Sequence, residues 1–264
     1  MTLRVAIEGV SFWASRLPGW DIARAVIRGE QAPPEAPSPR PSPTLLAPTE
    51  RRRAPDTVAV ALEVAARACE AAGRKPSELP SVFASTHGDL AISDYMCSTL
   101  ATTPTLISPI KFHNSVHNAA AGYWSIGTGS LAPYTAISSY EYTFGEGLLE
   151  AATQVVCEQR PVLYVAFDIE AKGALATMAT SRGLLGAGLV LAPVSQSQQQ
   201  RGLILTTESV SESRPTPARS AAAALVAENA LAPCLPFFEV LAGSSPRTLS
   251  LALSRQTALN VQVN

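Results

Sequence analysis

Three histidines, four cysteines and a scatter of serines and acids carry the groups able to do chemistry in this 264-residue chain. His113 and His117 stand four apart, the spacing that would place two imidazoles on one helical face as metal ligands. The residues between them, Asn114-Ser115-Val116, lack the glutamate of a hydrolytic zinc helix. Pro109 and Asn114 predict a loop here, with the polar residues orienting a helix entrance. His87 beside Asp89 makes an acid/base pair if the two converge in space. Ser139 or Ser115, with His117 and Asp168, supplies the atom types of a nucleophilic triad, but no GxSxG elbow selects them. Cys69, Cys97, Cys157 and Cys234 are spread without a CxxC pair, which predicts reduced thiols rather than disulfides or a zinc ribbon. TGS at 128–130 and GLLGAG at 183–188 match neither a dinucleotide fingerprint nor a phosphate loop, so these glycines are expected to serve close packing. No metal and no cofactor is implied.

The elements that must position these groups are legible from periodicity. LRVAIEGV (3–10) predicts a buried strand ended by Gly9. From Gln31 to Pro55, eight prolines exclude a helix and predict an extended surface excursion. It closes on Glu50-Arg51-Arg52-Arg53, a basic cluster placed just before a helix. Asp56 is a candidate N-cap for the alanine-rich helix that Gly73 stops. SVFAST (81–86) predicts a second strand whose carboxyl end delivers His87-Gly88-Asp89, the end where α/β sheets place ligands. ISDYMCSTLA and 117–129 predict helices, LAPYTAI (131–137) a strand, FGEGLLEAATQVVCEQ a helix and PVLYVAFDI a buried strand. GLVLAP, GLILTTESV and the closing RTLSLALSRQTALNVQVN add strands, with SQSQQQR as a polar turn and an alanine-rich helix at 218–230. Strands alternating with helices predict a layered α/β domain with a mixed sheet.

Composition narrows the function classes. Hydrophobic residues make up 47% and charged residues 16%, enough apolar matter for a large core. A net charge of −1 gives no basic field for nucleic acid or anionic lipid. The first residues lack the pattern of a secretory signal, and no run of about 18 apolar residues would span a membrane. A cytoplasmic protein is expected.

The order of strand, proline-rich excursion, ERRRAP, alanine-rich helix, VFAST-HGD, FHNSVHNAAAGYWSI, LAPYTAISSYEYTFGEGLLEAA and SRGLLGAGLVLAP resembles the chain length factors of the β-ketoacyl synthase-like, thiolase-like superfamily, over about residues 1–195. The resemblance implies one thiolase-like domain over 1–264, its amino-terminal half complete and its carboxyl-terminal half shortened, with the excursion at about 31–55. It puts Asn118 on a frequently used asparagine. It also makes 131–152 the strand, turn and helix that present the nucleophilic cysteine of a condensing enzyme, where amides and dipole lower a thiol pKa. Glu141 falls at the cysteine position, to within one or two residues. No cysteine stands in this turn, and no histidine follows Asp168, although condensing enzymes draw a basic pair from their second half. A carboxylate cannot carry the acyl-thioester relay.

The resemblance therefore implies no catalytic residue in this chain. It implies a non-elongating subunit that pairs as a heterodimer with an active β-ketoacyl-ACP synthase and shapes the tunnel for an acyl or polyene chain, in a fatty-acid-like, aryl-polyene or polyketide context. Tyr140, Tyr142, Phe144, His113, His117 and Asn118 are the tunnel and interface candidates; the aromatic residues could equally fill this chain's own core. Arg51, Arg52 and Arg53 are candidates to dock an acidic acyl carrier protein, or are a solvated helix-entry cluster. Two alternatives stand beside this reading: an independent acyltransferase or hydrolase using a serine or Glu141, and a homodimeric acyl-binding module.

Overall fold

The computed structural model describes residues 1–195, 201–245 and 247–264, and most of the polar turn expected at 195–201 lies outside them. The first strand, β1 (Thr2–Ala14), runs past Gly9, which pairs with Val190, and a register shift between Ile7 and Gly9 stands in place of the expected end. A short β2 (Leu17–Pro18) and a helix the pattern did not reveal, α1 (Trp20–Ile27), follow. The proline-rich excursion then crosses the surface, but it carries one helical turn and a half, α2 (Pro48–Arg53). The basic cluster is therefore inside a helix, with Pro48 at the first helical position, where a missing N–H is harmless. The excursion is anchored: Leu46 is buried in the core, and the Arg40 guanidinium holds Asp56 and the Ala54 carbonyl.

Helix α3 (Asp56–Ala72) begins one residue before expectation, with Pro55 at the cap, and ends on Gly73 in the left-handed conformation. Then come β3 (Ser81–Ala84), α4 (Leu90–Thr102), α5 (Pro109–His113), α6 (Ala119–Thr128), β4 (Tyr134–Ile137) and α7 (Thr143–Glu158). The loop expected around His113 is in part the single turn α5, capped by the Ser108 hydroxyl. The chain continues through β5 (Val162–Asp168), β6 (Leu185–Pro193), β7 (Arg201–Ser209), α8 (Ala223–Val226), α9 (Leu235–Ala242), β8 (Arg247–Ala252) and β9 (Thr257–Val263).

The alanine-rich stretch at 218–230 is helical only over α8, which corrects the expected long helix. Asn229 is the physical reason: its side-chain amide donates to the carbonyls of Asp168, Arg182 and Gly183, and its Oδ1 accepts from Leu231, fixing a turn. Helical order resumes in α9, which buries Phe237 and Phe238.

Among the described residues the strands form one mixed sheet in the order β4-β3-β5-β6-β1-β7-β9-β8, with β2 paired to β1. The β3, β4 and β5 strands are mutually parallel, and the rest of the sheet is antiparallel. Both faces of β5 are buried: Val162, Tyr164 and Ala166 point to one core with α7 and α9, and Leu163, Val165 and Phe167 to the other with α3 and α6. That two-sided burial is why this strand reads as a continuous apolar run. Helix α3 lies unusually close to the sheet, because a Cβ on Gly188 would stand 2.6 Å from the Val64 carbonyl oxygen and one on Gly9 2.2 Å from that of Ala68. The result is the layered α/β fold with a mixed sheet expected from the sequence.

Candidate functional site

Parallel strands β3, β4 and β5 end on the same side of the sheet, and the loops leaving them meet. Asp168 closes β5 with its carboxylate almost fully buried, and that carboxylate knots the loops together. It accepts from the Ser85 hydroxyl at 2.9 Å, from the Thr86 amide at 3.0 Å and from the His87 amide at 3.3 Å. Burial pushes its pKa up, and the hydrogen bonds from Thr86, Ser85 and His87 hold it down only in part. Around this knot, the Ser138 hydroxyl donates to the Thr86 carbonyl and His117 Nε2 lies 2.8 Å from the Ser85 carbonyl oxygen.

The bend from β4 into α7 is built on that frame. A 3-10 turn at Tyr140–Tyr142 sharpens it, and Tyr140 carries a positive φ of 50°, a strained value for a residue with a side chain. Thr143 locks the turn, accepting from the Ser139 amide and donating to the Tyr140 carbonyl. The sharpest residue of the bend is thus Tyr140, one position before Glu141. Its ring, 63% exposed, packs edge-on against His87 at 5.9 Å. Glu141 is exposed, and its carboxylate beside the Tyr142 hydroxyl pushes that phenol's pKa upward. Phe144 is buried among Tyr164, Phe237 and Phe238, so it serves mainly this chain's own core. A cleft of about 830 Å3 opens beside the bend, with Glu141 and Tyr142 on one wall and Arg255 from the β8–β9 turn on the other.

The remaining candidates fall into place around this centre without joining it in a catalytic chain. Asp89 does not face His87; its oxygens cap α4 through the Ile92 amide and take the Thr57 hydroxyl. The Ser115 hydroxyl donates to the Phe112 carbonyl, so Ser115, His117 and Asp168 do not form a relay. His113 ends α5 and its ring meets Tyr123 at 6.4 Å, whereas His117 lies beyond that helix; the two therefore do not share a helical face. Among the described residues no three His, Cys, Asp or Glu side chains gather as metal ligands. Asn118 donates to the Tyr134 hydroxyl at 3.1 Å. With His113, it lines an apolar cleft of about 610 Å3 roofed by Leu46 of the excursion and floored by α6. In the basic cluster, Arg51 is committed to the Leu46 and Thr44 carbonyls, while Arg52 and Arg53 are exposed. Burial raises the Cys69 thiol pKa to about 12 and pushes that of Cys234 up as well; Cys97 and Cys157 are exposed. Asn229 and Arg255 were not singled out by sequence, and Asn114 was read only as a loop signal, because single polar residues in turns carry no periodicity.

One edge of the sheet is β4 itself, paired to β3 on one side only. Exposed apolar side chains surround it, with Leu131 at 99%, Ile126 at 80% and Val116 at 52% exposure. No helix among the described residues is long and apolar enough to cross a membrane.

No curated protein matches this sequence. Among solved structures, the chain is similar in fold to one from the complex of the ketosynthase ApeO with its chain length factor ApeC of Xenorhabdus doucetiae, at a TM-score of 0.75 and 21% identity, covering 98% of this chain and 99% of that one. It is similar to the ishigamide ketosynthase/chain length factor, at a TM-score of 0.68 and 15% identity over 99% of both chains. A type II polyketide ketosynthase structure with its acyl-carrier protein, AntDE:AntF, gives a TM-score of 0.75 at 10% identity, over 100% of this chain and 99% of that one. The family model described as "Beta-ketoacyl synthase, N-terminal domain" matches residues 26–236, so the chain belongs to the beta-ketoacyl synthase family.

Proposed function

We propose that this protein is the non-elongating, chain-length-setting subunit of a β-ketoacyl-ACP synthase pair. The observation that carries the reading is the bend at 138–144: it has the sharp turn and helix start that suit an activated nucleophile, yet presents Tyr140, Glu141 and Tyr142 and no thiol. The absence of any histidine after His117 removes a second catalytic element. Whole-length similarity to structures in which a ketosynthase and a chain length factor occur together supports the pairing.

In this reading, residues 1–264 form one domain acting in the cytoplasm, and the active ketosynthase docks along the free edge of β4 and the apolar side chains around it. Tyr140 and Tyr142 then wall the partner's pocket, and the cleft at His113 and Asn118 shapes the path of an acyl or polyene chain. Phe144 supports them from the core, and His117 acts by holding the Ser85 carbonyl. Arg52 and Arg53 are the exposed cations left to steer an acyl carrier protein, in keeping with the carrier named in the AntDE:AntF structure.

The test is reconstitution of carrier-bound chain elongation. Purified together with its ketosynthase, this chain should support elongation and fix product length, and alone it should neither elongate nor acquire an acyl adduct by mass spectrometry. An acyl-enzyme formed by the isolated chain would instead support an independent acyltransferase or hydrolase, and full activity of the ketosynthase without it would support a homodimeric module.

A further inference from the structure

The apolar cleft of about 610 Å3 under the excursion is walled by α2, α5 and α6, and its volume is that of a small-molecule site. Much of its apolar wall is still open to solvent, with Ile110 at 47%, Val116 at 52% and Ile126 at 80% exposure. Its carboxylate and guanidinium, Glu50 and Arg53, stand three residues apart on α2 and balance each other in charge. A charged headgroup thus finds no net counter-charge here, whereas a hydrocarbon finds apolar surface from Leu46, Val116 and Ile126.

The two glycines inside α6, Gly122 and Gly127, differ in what keeps them there. Glycine is the poorest helix former after proline, so each needs a reason. A Cβ on Gly127 would collide with the Leu45 side chain, and packing of the excursion onto α6 accounts for that one. A Cβ on Gly122 would meet nothing within 4 Å, and Gly122 lines the cleft. No contact among the described residues therefore requires a glycine at 122. Its missing side chain instead leaves room on the cleft floor for a group from outside the chain.

We propose that this cleft seats the apolar tail of an acyl ligand within this single chain, with the tail lying over Gly122 and the charged or carrier-bound end left in solvent. The open floor at 122 sets how deeply the tail enters, and Leu46 closes over it from the excursion. The source of the tail rests on the function proposed above; the seat itself needs no partner subunit, because every wall comes from this chain.

Fluorescence titration of the full chain alone tests the seat, with cis-parinaric acid, a conjugated polyene fatty acid that brightens on leaving water, as the probe. The probe should bind saturably, and 1-dodecanol should displace it at least about tenfold better than 1-hexanol, since each further methylene buries more apolar surface. Gly122→Leu should weaken the probe by about tenfold or more, because its side chain fills the floor. Gly122→Ala should weaken it less and raise the thermal transition, since alanine suits a helix better and its Cβ meets open space. Should Gly122→Leu not fold, Gly122→Ala and the alcohol pair decide the matter by themselves. No saturable binding, equal displacement by the two alcohols, unchanged affinity in Gly122→Leu, or a lowered transition in Gly122→Ala would overturn the inference. Tail binding intact in a chain that fails to support elongation with its ketosynthase would uphold this seat and overturn the pairing instead.

Discussion

Asp168 shows how a single buried carboxylate can organise a site it does not enter. It holds three groups of the loop after β3, and that loop in turn holds Ser138 and His117. Because burial raises its folded-state pKa above the unfolded value, its contribution to stability is full below about pH 4 and is lost as pH rises through the folded value. The stability of the wild type relative to Asp168→Asn should therefore fall in thermal denaturation as pH rises above about 4, and a difference that grows with pH would refute this account. Thiol chemistry offers a second check at this scale. The thiols of Cys69 and Cys234 are buried with raised pKa values, whereas Cys97 and Cys157 face solvent. Iodoacetamide at neutral pH should label only the exposed pair in the native protein, as peptide mass spectrometry will read. These environments were not legible in the sequence, where all four cysteines look alike.

At the scale of elements, α3 packs closely against the sheet. Gly188 and Gly9 let it approach, since a Cβ at either position meets helix backbone, and one on Gly188 also meets the Ser11 hydroxyl. Gly188→Ala should lower stability by about 1–3 kcal/mol in chemical denaturation, the usual penalty of overpacking. The sequence already marked GLLGAG as packing glycines, because their spacing fits no phosphate loop. It also placed α3, α4, α6 and α7 and most strands, since their apolar periodicity survives in the fold. It overestimated the helix at 218–230, where alanine propensity loses to the three carbonyls that Asn229 ties together. The turn α5 and helix α9 escaped notice because Pro109 opens the first and Pro236 is the second residue of the other, and a proline reads as a breaker until its place at the helix start is seen.

For the whole molecule, the unpaired edge at β4 and the apolar side chains near it are the feature that most needs a partner. If the ketosynthase binds there, Leu131→Glu, at a fully solvent-facing position, should leave the thermal transition of the isolated chain unchanged while abolishing co-purification with that partner. Retained co-purification would move the interface elsewhere.

The sequence by itself determined the layered α/β class, the family likeness and the absence of a thiol from 138–144, because periodic burial and the identity of single residues are written locally. Tertiary structure alone decided that Tyr140 takes the strained corner, that Phe144 turns inward, that Arg51 is occupied, and that Asn114 is buried. Those facts depend on which distant loops the sheet brings together, and contacts between residues far apart in the chain leave no periodic trace along it.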